Sequence, residues 1–267
     1  MTAPFRVLVG GTALFAGLWF LSAAVAAPNL PKDSYKKAAE ADIEQLQKHL
    51  AVINGDPKEA KRYAPTVKSL AMMLAMYAEA TGDEALRGQA LKVGEASNKL
   101  LAEARKAENA EGIRDASAAV AKLAKELVVK TGNAPLTPAN LQNQNKYELD
   151  EVMSPFRGSK VGGLNIDRDI KDMTKKMEAV PIEPAAVELL AARASILGEY
   201  MQYFPNAKVN NAAKMAQWAN WSKETVELSK QLAEESVKGK KADETRLLFL
   251  LKKLEENCAA CHAVFRD

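Results

Sequence analysis

Cysteine and histidine are almost missing from this chain of 267 residues, which holds two of each. Both cysteines lie inside one pentapeptide, so no disulfide framework can be read. One histidine belongs to the same pentapeptide, and His49 is the other. With one spare imidazole, no H-E-x-x-H motif and no glycine-rich phosphate loop, hydrolytic chemistry has nothing to work with, and the chain does not read as an enzyme. Charge of one sign is scarce as well. The 37 basic and 34 acidic residues leave a net +3, too little to argue for nucleic acid. No strand pattern stands out, and residues 7–22 form the one long uncharged apolar run.

What is present is an ordinary globular composition, 48% hydrophobic and 27% charged, arranged in leucine- and alanine-rich amphipathic stretches. The expectation is an all-α protein with room for two small domains. Ser34 is expected to cap a first helix with Ile43, Leu46, Leu50 and Ile53 inward, stopped by Asn54-Gly55. Asp56-Pro57-Lys58-Glu59 opens a second through Val67, Leu70, Met73, Leu74 and Tyr77, with Pro65 set to kink it or delay its start. After Thr81-Gly82-Asp83 a third runs through Leu86, Val93, Leu100 and Leu101. A fourth spans 111–130, with Ile113, Val120, Leu123 and Leu127 inward.

Residues 133–164 read as a linker, given their prolines, glycines and glutamine/asparagine-rich 141–145. The linker holds one apolar island, Tyr147, Leu149, Val152, Met153 and Phe156, expected as a short helix ended by Pro155. Four more helices follow: 165–180, one from Pro184, one from about Asn210, and one capped by Asp243. Ser69-Leu70 aligns with Ser195-Ile196 at an offset of 126, and Lys122-Leu123 with Lys253-Leu254 at 131. The two halves therefore read as two tandem antiparallel four-helix bundles, 28–132 and 165–267.

Residues 1–27 read as a targeting segment. Arg6 and the amino terminus are its positive region, Val7 to Ser22 its apolar run, and Ala24-Val25-Ala26 an A-x-A cleavage site. An uncleaved anchor is the rival reading, because 7–27 is long enough to span a bilayer; the A-x-A box has no role in an anchor. Cleavage leaves no membrane segment, and the expected location is the periplasm. Trp19 leaves with the signal, so the mature chain keeps Trp218 and Trp221.

Cys258-Ala259-Ala260-Cys261-His262 is a C-x-x-C-H motif, the attachment signature of a c-type haem. Two thiols three apart on a helix share a face, where each can form a thioether with a porphyrin vinyl group. The adjacent imidazole then serves as the iron's proximal ligand. A thioredoxin-like pair expects a βαβ setting that this chain lacks, and a zinc site finds too few ligands. Leu247, Leu250, Leu251, Leu254, Cys258, Cys261, His262 and Phe265 form one helical stripe, with Lys252, Lys253, Glu255 and Glu256 opposite. Covalent haem attachment takes place outside the cytoplasmic membrane, so the two ends of the sequence agree.

With C-A-A-C-H-A-V-F-R near the end of a fourth helix, residues 165–267 resemble the class II c-type cytochromes, cytochrome c′ and its low-spin relatives such as cytochrome c-556. The resemblance implies a four-helix bundle with one covalent haem c, Cys258 and Cys261 on the vinyls and His262 on the iron. Phe265 and Arg266 match the aromatic and basic residues after the histidine. Arg266 then lines the proximal pocket, or else is a solvated charge beside the negative end of the helix dipole. Residues 34–132 match only as a haem-less copy by helix count.

The sixth ligand decides the mechanism. A methionine sulfur makes the haem low-spin and raises its potential, which suits single-electron transfer to a redox partner protein. An apolar cover leaves iron open to a small gas such as nitric oxide or carbon monoxide. Met173 and Met177 on the first helix of the haem unit, and Met153 before it, are the candidates, with core filling as the plain alternative. A third reading makes 28–132 a partner-binding or homodimer-forming bundle, with the haem unit as its redox sensor. His49 reads as a boundary residue with a hydrogen bond, with a second axial ligand reaching across domains as the rival reading. The Lys238, Lys240 and Lys241 cluster reads as a solvated loop, with a docking patch for an acidic redox partner as the rival reading.

Overall fold

Apolar residues recurring every three to four positions bury themselves only if the backbone coils at that period. The computed structural model describes residues 30–106, 109–130, 132 and 147–265, and among them there are nine α-helices and no strand. They are α1 Lys32–Gly55, α2 Ala60–Thr81, α3 Glu84–Arg105, α4 Ala110–Ala124 and α5 Leu149–Met153, then α6 Ile166–Met177, α7 Pro184–Met201, α8 Ala212–Ser236 and α9 Glu244–Phe265. Residues 1–27, residues 133–146 of the expected linker and Arg266 lie outside the described residues. No described helix is long and apolar enough to cross a membrane.

Helix boundaries follow local chemistry, with three departures from expectation. α1 starts at Lys32, behind Pro31, and Ser34 does not cap it; the Ser34 hydroxyl donates instead to Glu188 Oε1, 3.0 Å away on α7. Pro65 lies inside α2 without delaying its start, because a 3-10 turn at Pro57–Glu59 already leads into the helix. α4 ends at Ala124, short of 130. Between α2 and α3, Gly82 takes the left-handed conformation (φ 75°) that ends a helix cheaply only for glycine. Asp83 then uses both carboxylate oxygens, accepting from Leu86 N at 2.9 Å to cap α3 and from Lys130 N at 2.6 Å to tie down the segment after α4.

α1 to α4 touch in a closed circuit, and α6 to α9 touch in a second. The two circuits meet where α1 and α2 rest on α7. Residues 69–81 of α2 and 190–201 of α7 are buried without interruption, so these two helices have no solvent face in those spans. Buried apolar side chains of both circuits form one continuous cluster. Each fully buried leucine, such as Leu70 or Leu197, contributes roughly 1.5–3 kcal/mol.

The meeting surface between the circuits also carries charge. Arg193 of α7 donates to Asp42 and to Gln45 of α1, Tyr35 donates to Glu199, and Tyr200 donates to Glu79 of α2. Buried polar groups survive only when paired in this way.

The expected apolar island does form a short helix, α5, followed by 3-10 turns at Ser154–Phe156 and Ser159–Val161. These elements pack against α2, α6 and α7. Lys68 pairs with Glu151, and the Ser69 hydroxyl donates to the Gly162 carbonyl at 2.9 Å. The backbone turns tightly enough there that a Cβ on Gly163 would sit 1.9 Å from the Arg157 carbonyl oxygen. Met153 and Phe156 of this segment line a cleft together with Cys258, Cys261 and His262 of α9.

Candidate haem-attachment site

Asp243 starts α9 by accepting from Arg246 N at 3.1 Å. Along the helix, Leu247, Leu250, Leu251, Leu254, Cys261 and Phe265 are buried, Cys258 and His262 are half-buried, and Lys252 and Glu256 are exposed. The apolar stripe therefore carries the motif residues to the edge of the core.

Two contacts hold that end of α9 in place. Asn257 donates through Nδ2 to the Trp221 carbonyl at 3.0 Å and to Thr225 Oγ1 at 2.8 Å, both on α8. Phe265 is wedged edge-on between Trp218 and Trp221, with ring centroids 5.1 and 5.6 Å away. Trp218 is fixed in turn by Nε1 donating to the Met201 carbonyl at 2.7 Å.

The motif side chains open into a cleft of about 310 Å³ lined by Met153, Phe156, Asp167, Met201, Trp221, Thr225, Cys258, Cys261 and His262. A second cleft of about 250 Å³, lined by Ile170, Lys171, Glu255 and Ala259, shares Asp167, Cys258 and His262 with the first. Asp167 Oδ2 lies 3.8 Å from His262 Nε2. The two cysteines are free thiols. Burial, with the Asp167 charge adding to it, pushes Cys258 up to about 12 and Cys261 up to about 11, so both are neutral near pH 7.

The side-chain chemistry here is the kind that a covalent haem uses. The thiols are unbonded, face the same cleft as the imidazole, and are walled by aromatic and thioether side chains. Among the described residues no group of three or more His, Cys, Asp and Glu could hold a metal by itself. A haem iron asks for no such group, since the porphyrin occupies four positions and leaves two axial ones to the protein.

The remaining sequence candidates are dispersed. Met153 lines the larger cleft, whereas Met173 and Met177 pack half-buried against the core and line neither cleft. His49 stacks on Tyr63 with ring centroids 4.6 Å apart, and its Nε2 is 3.4 Å from Gln45 Nε2. Lys238 pairs with Glu235 at 2.7 Å. Asp167 and Met201 are cleft residues that the sequence did not mark. Asp167 reads there as an ordinary acid in a first helical turn, and Met201 as the last apolar residue of an inward stripe.

Comparison with protein-family models finds no match, and comparisons with curated proteins and with solved structures find none either.

Proposed function

We propose that the chain is an exported monohaem c-type cytochrome of the class II kind, built from two tandem four-helix bundles, that carries single electrons to a redox partner protein in the periplasm. One observation carries the reading: Cys258, Cys261 and His262, three residues of a haem-attachment motif, open into a single walled cleft at the edge of the core. Cys258 and Cys261 would hold the haem through their thiols, and His262 would be a ligand to its iron. Bound haem supplies a one-electron iron couple.

The chain's own residues do the rest. Trp221, Met153 and Phe156 line the cleft and would shield a bound haem from water, while Phe265 packs edge-on against Trp221 and Trp218. Asn257 fixes the helix that carries the motif. Asp167, Met153 and Met201 line the cleft with His262, and an oxygen or sulfur donor to the iron there would suit electron transfer better than gas binding.

The test is expression in a host able to attach c-type haem. The expected product is heavier than the processed polypeptide by one haem, keeps the colour after denaturation, and loses it in Cys258→Ala/Cys261→Ala. Its optical spectrum should change little with carbon monoxide. A colourless product at the polypeptide mass refutes the proposal.

A further inference from the structure

Residues 149–165 border the cleft of the second helix circuit, yet they are fastened to the first. α5 and the 3-10 turns at Ser154–Phe156 and Ser159–Val161 each touch α2. Met153 and Phe156 of the same segment line the cleft beside Cys261. We propose that this segment is a strap gating access to the Cys261 thiol, and that Lys68 and Ser69 of α2 are its latch. The first circuit then has a task of its own, which is to hold the strap down over a site that belongs to the second.

Polar contacts make the latch. Lys68 pairs with Glu151, and both side chains are half-buried. Glu151 also accepts from Glu148 N at 3.0 Å through its other carboxylate oxygen, so it closes the first turn of α5 while it holds Lys68. The Ser69 hydroxyl donates to the Gly162 carbonyl and accepts from the Ser154 hydroxyl, both at 2.9 Å. Inside the strap, Arg157 pairs with Asp150. Leu164 N donates to the Pro155 carbonyl and Asn165 N to the Arg157 carbonyl, both at 2.9 Å, so the segment can move as one body. Helical pieces this short have little stability of their own. Contacts with α2 therefore decide whether the strap stays down. Cys261 is buried and its cleft admits only water-sized molecules, so anything larger reaches the thiol when the strap lifts.

The test uses the full-length protein before haem attachment, with Lys68→Met, Lys68→Arg and Ser69→Ala variants. Iodoacetamide labelling of Cys261 is followed by mass spectrometry, alongside hydrogen exchange of residues 149–165 and of α3 and α4. Labelling follows the population in which the strap is lifted. Lys68→Met is expected to label roughly two- to fivefold faster, the size of a half-exposed ion pair. Ser69→Ala should label about tenfold faster, because it strands the buried Gly162 carbonyl. Exchange should rise in 149–165 and stay as it was in α3 and α4, and Lys68→Arg should behave as wild type. Faster exchange in the strap without faster labelling overturns the gate. Unchanged exchange in both Lys68→Met and Ser69→Ala, or an equal rise in α3 and α4, overturns the latch. None of these readouts needs a haem, so a chain that takes up none would sink the haem reading and leave this inference standing.

Discussion

Arg193 on α7 and Asp42 on α1 form an ion pair buried at the meeting of the two helix circuits, although 151 positions separate them in the chain. The guanidinium Nε donates to Asp42 Oδ1 at 3.1 Å, and a second guanidinium nitrogen donates to Gln45 Oε1 at 2.8 Å. Removing one partner strands the other charge away from water. Arg193→Met should cost about 3–5 kcal/mol, while Arg193→Met with Asp42→Leu should recover most of that loss. Urea unfolding of the three proteins checks it, and a double variant as unstable as the single one contradicts the buried-charge account.

Glu79 on α2 is fully buried beside Tyr200 and Arg87, and burial lifts its carboxyl above the ordinary range. The native state therefore keeps this proton to a higher pH than the unfolded chain does. Its contribution is fully present below the ordinary glutamate pKa of 4.5 and is lost as pH rises through the native value. Glu79→Gln should flatten the pH dependence of stability above pH 4.5 relative to wild type. Denaturant midpoints measured from pH 4 upward read the difference, and parallel curves for the two proteins would refute it.

Before haem is attached, the buried thiols should be poor nucleophiles, because the thiolate is the reactive form. With Cys261 lifted to about 11 and Cys258 to about 12, alkylation of the apoprotein at pH 8 should run roughly a hundredfold or more below a free cysteine. Iodoacetamide labelling followed by mass spectrometry, repeated in Asp167→Asn, measures this. The variant should react faster, since the Asp167 charge adds to the lift on both thiols.

Gly163 is a point where the wall of the cleft cannot bear a side chain. The Cβ of Gly163→Ala would meet the Arg157 carbonyl oxygen at 1.9 Å, so the 147–165 segment must shift, at a cost of about 1–3 kcal/mol. Faster hydrogen exchange in that segment and an altered haem spectrum are expected together, because Met153 and Phe156 belong to the same wall. Gly88 meets nothing within 4 Å, so Gly88→Ala serves as the control and should leave both unchanged.

By itself the sequence determined what depends on neighbours along one helix. The stripe from Leu247 to Phe265, the motif on that stripe, the stop at Gly82, the start at Pro184 and the all-helical class all follow from spacing within a few turns. Pairings between elements were out of its reach. Ser34 looks like a cap and instead serves Glu188, Arg193 finds Asp42, and Asp167 rather than Met173 or Met177 comes to face His262. Only the tertiary structure decided these, because helical periodicity says which side of a helix is inward and is silent on which side chain of another helix will meet it there.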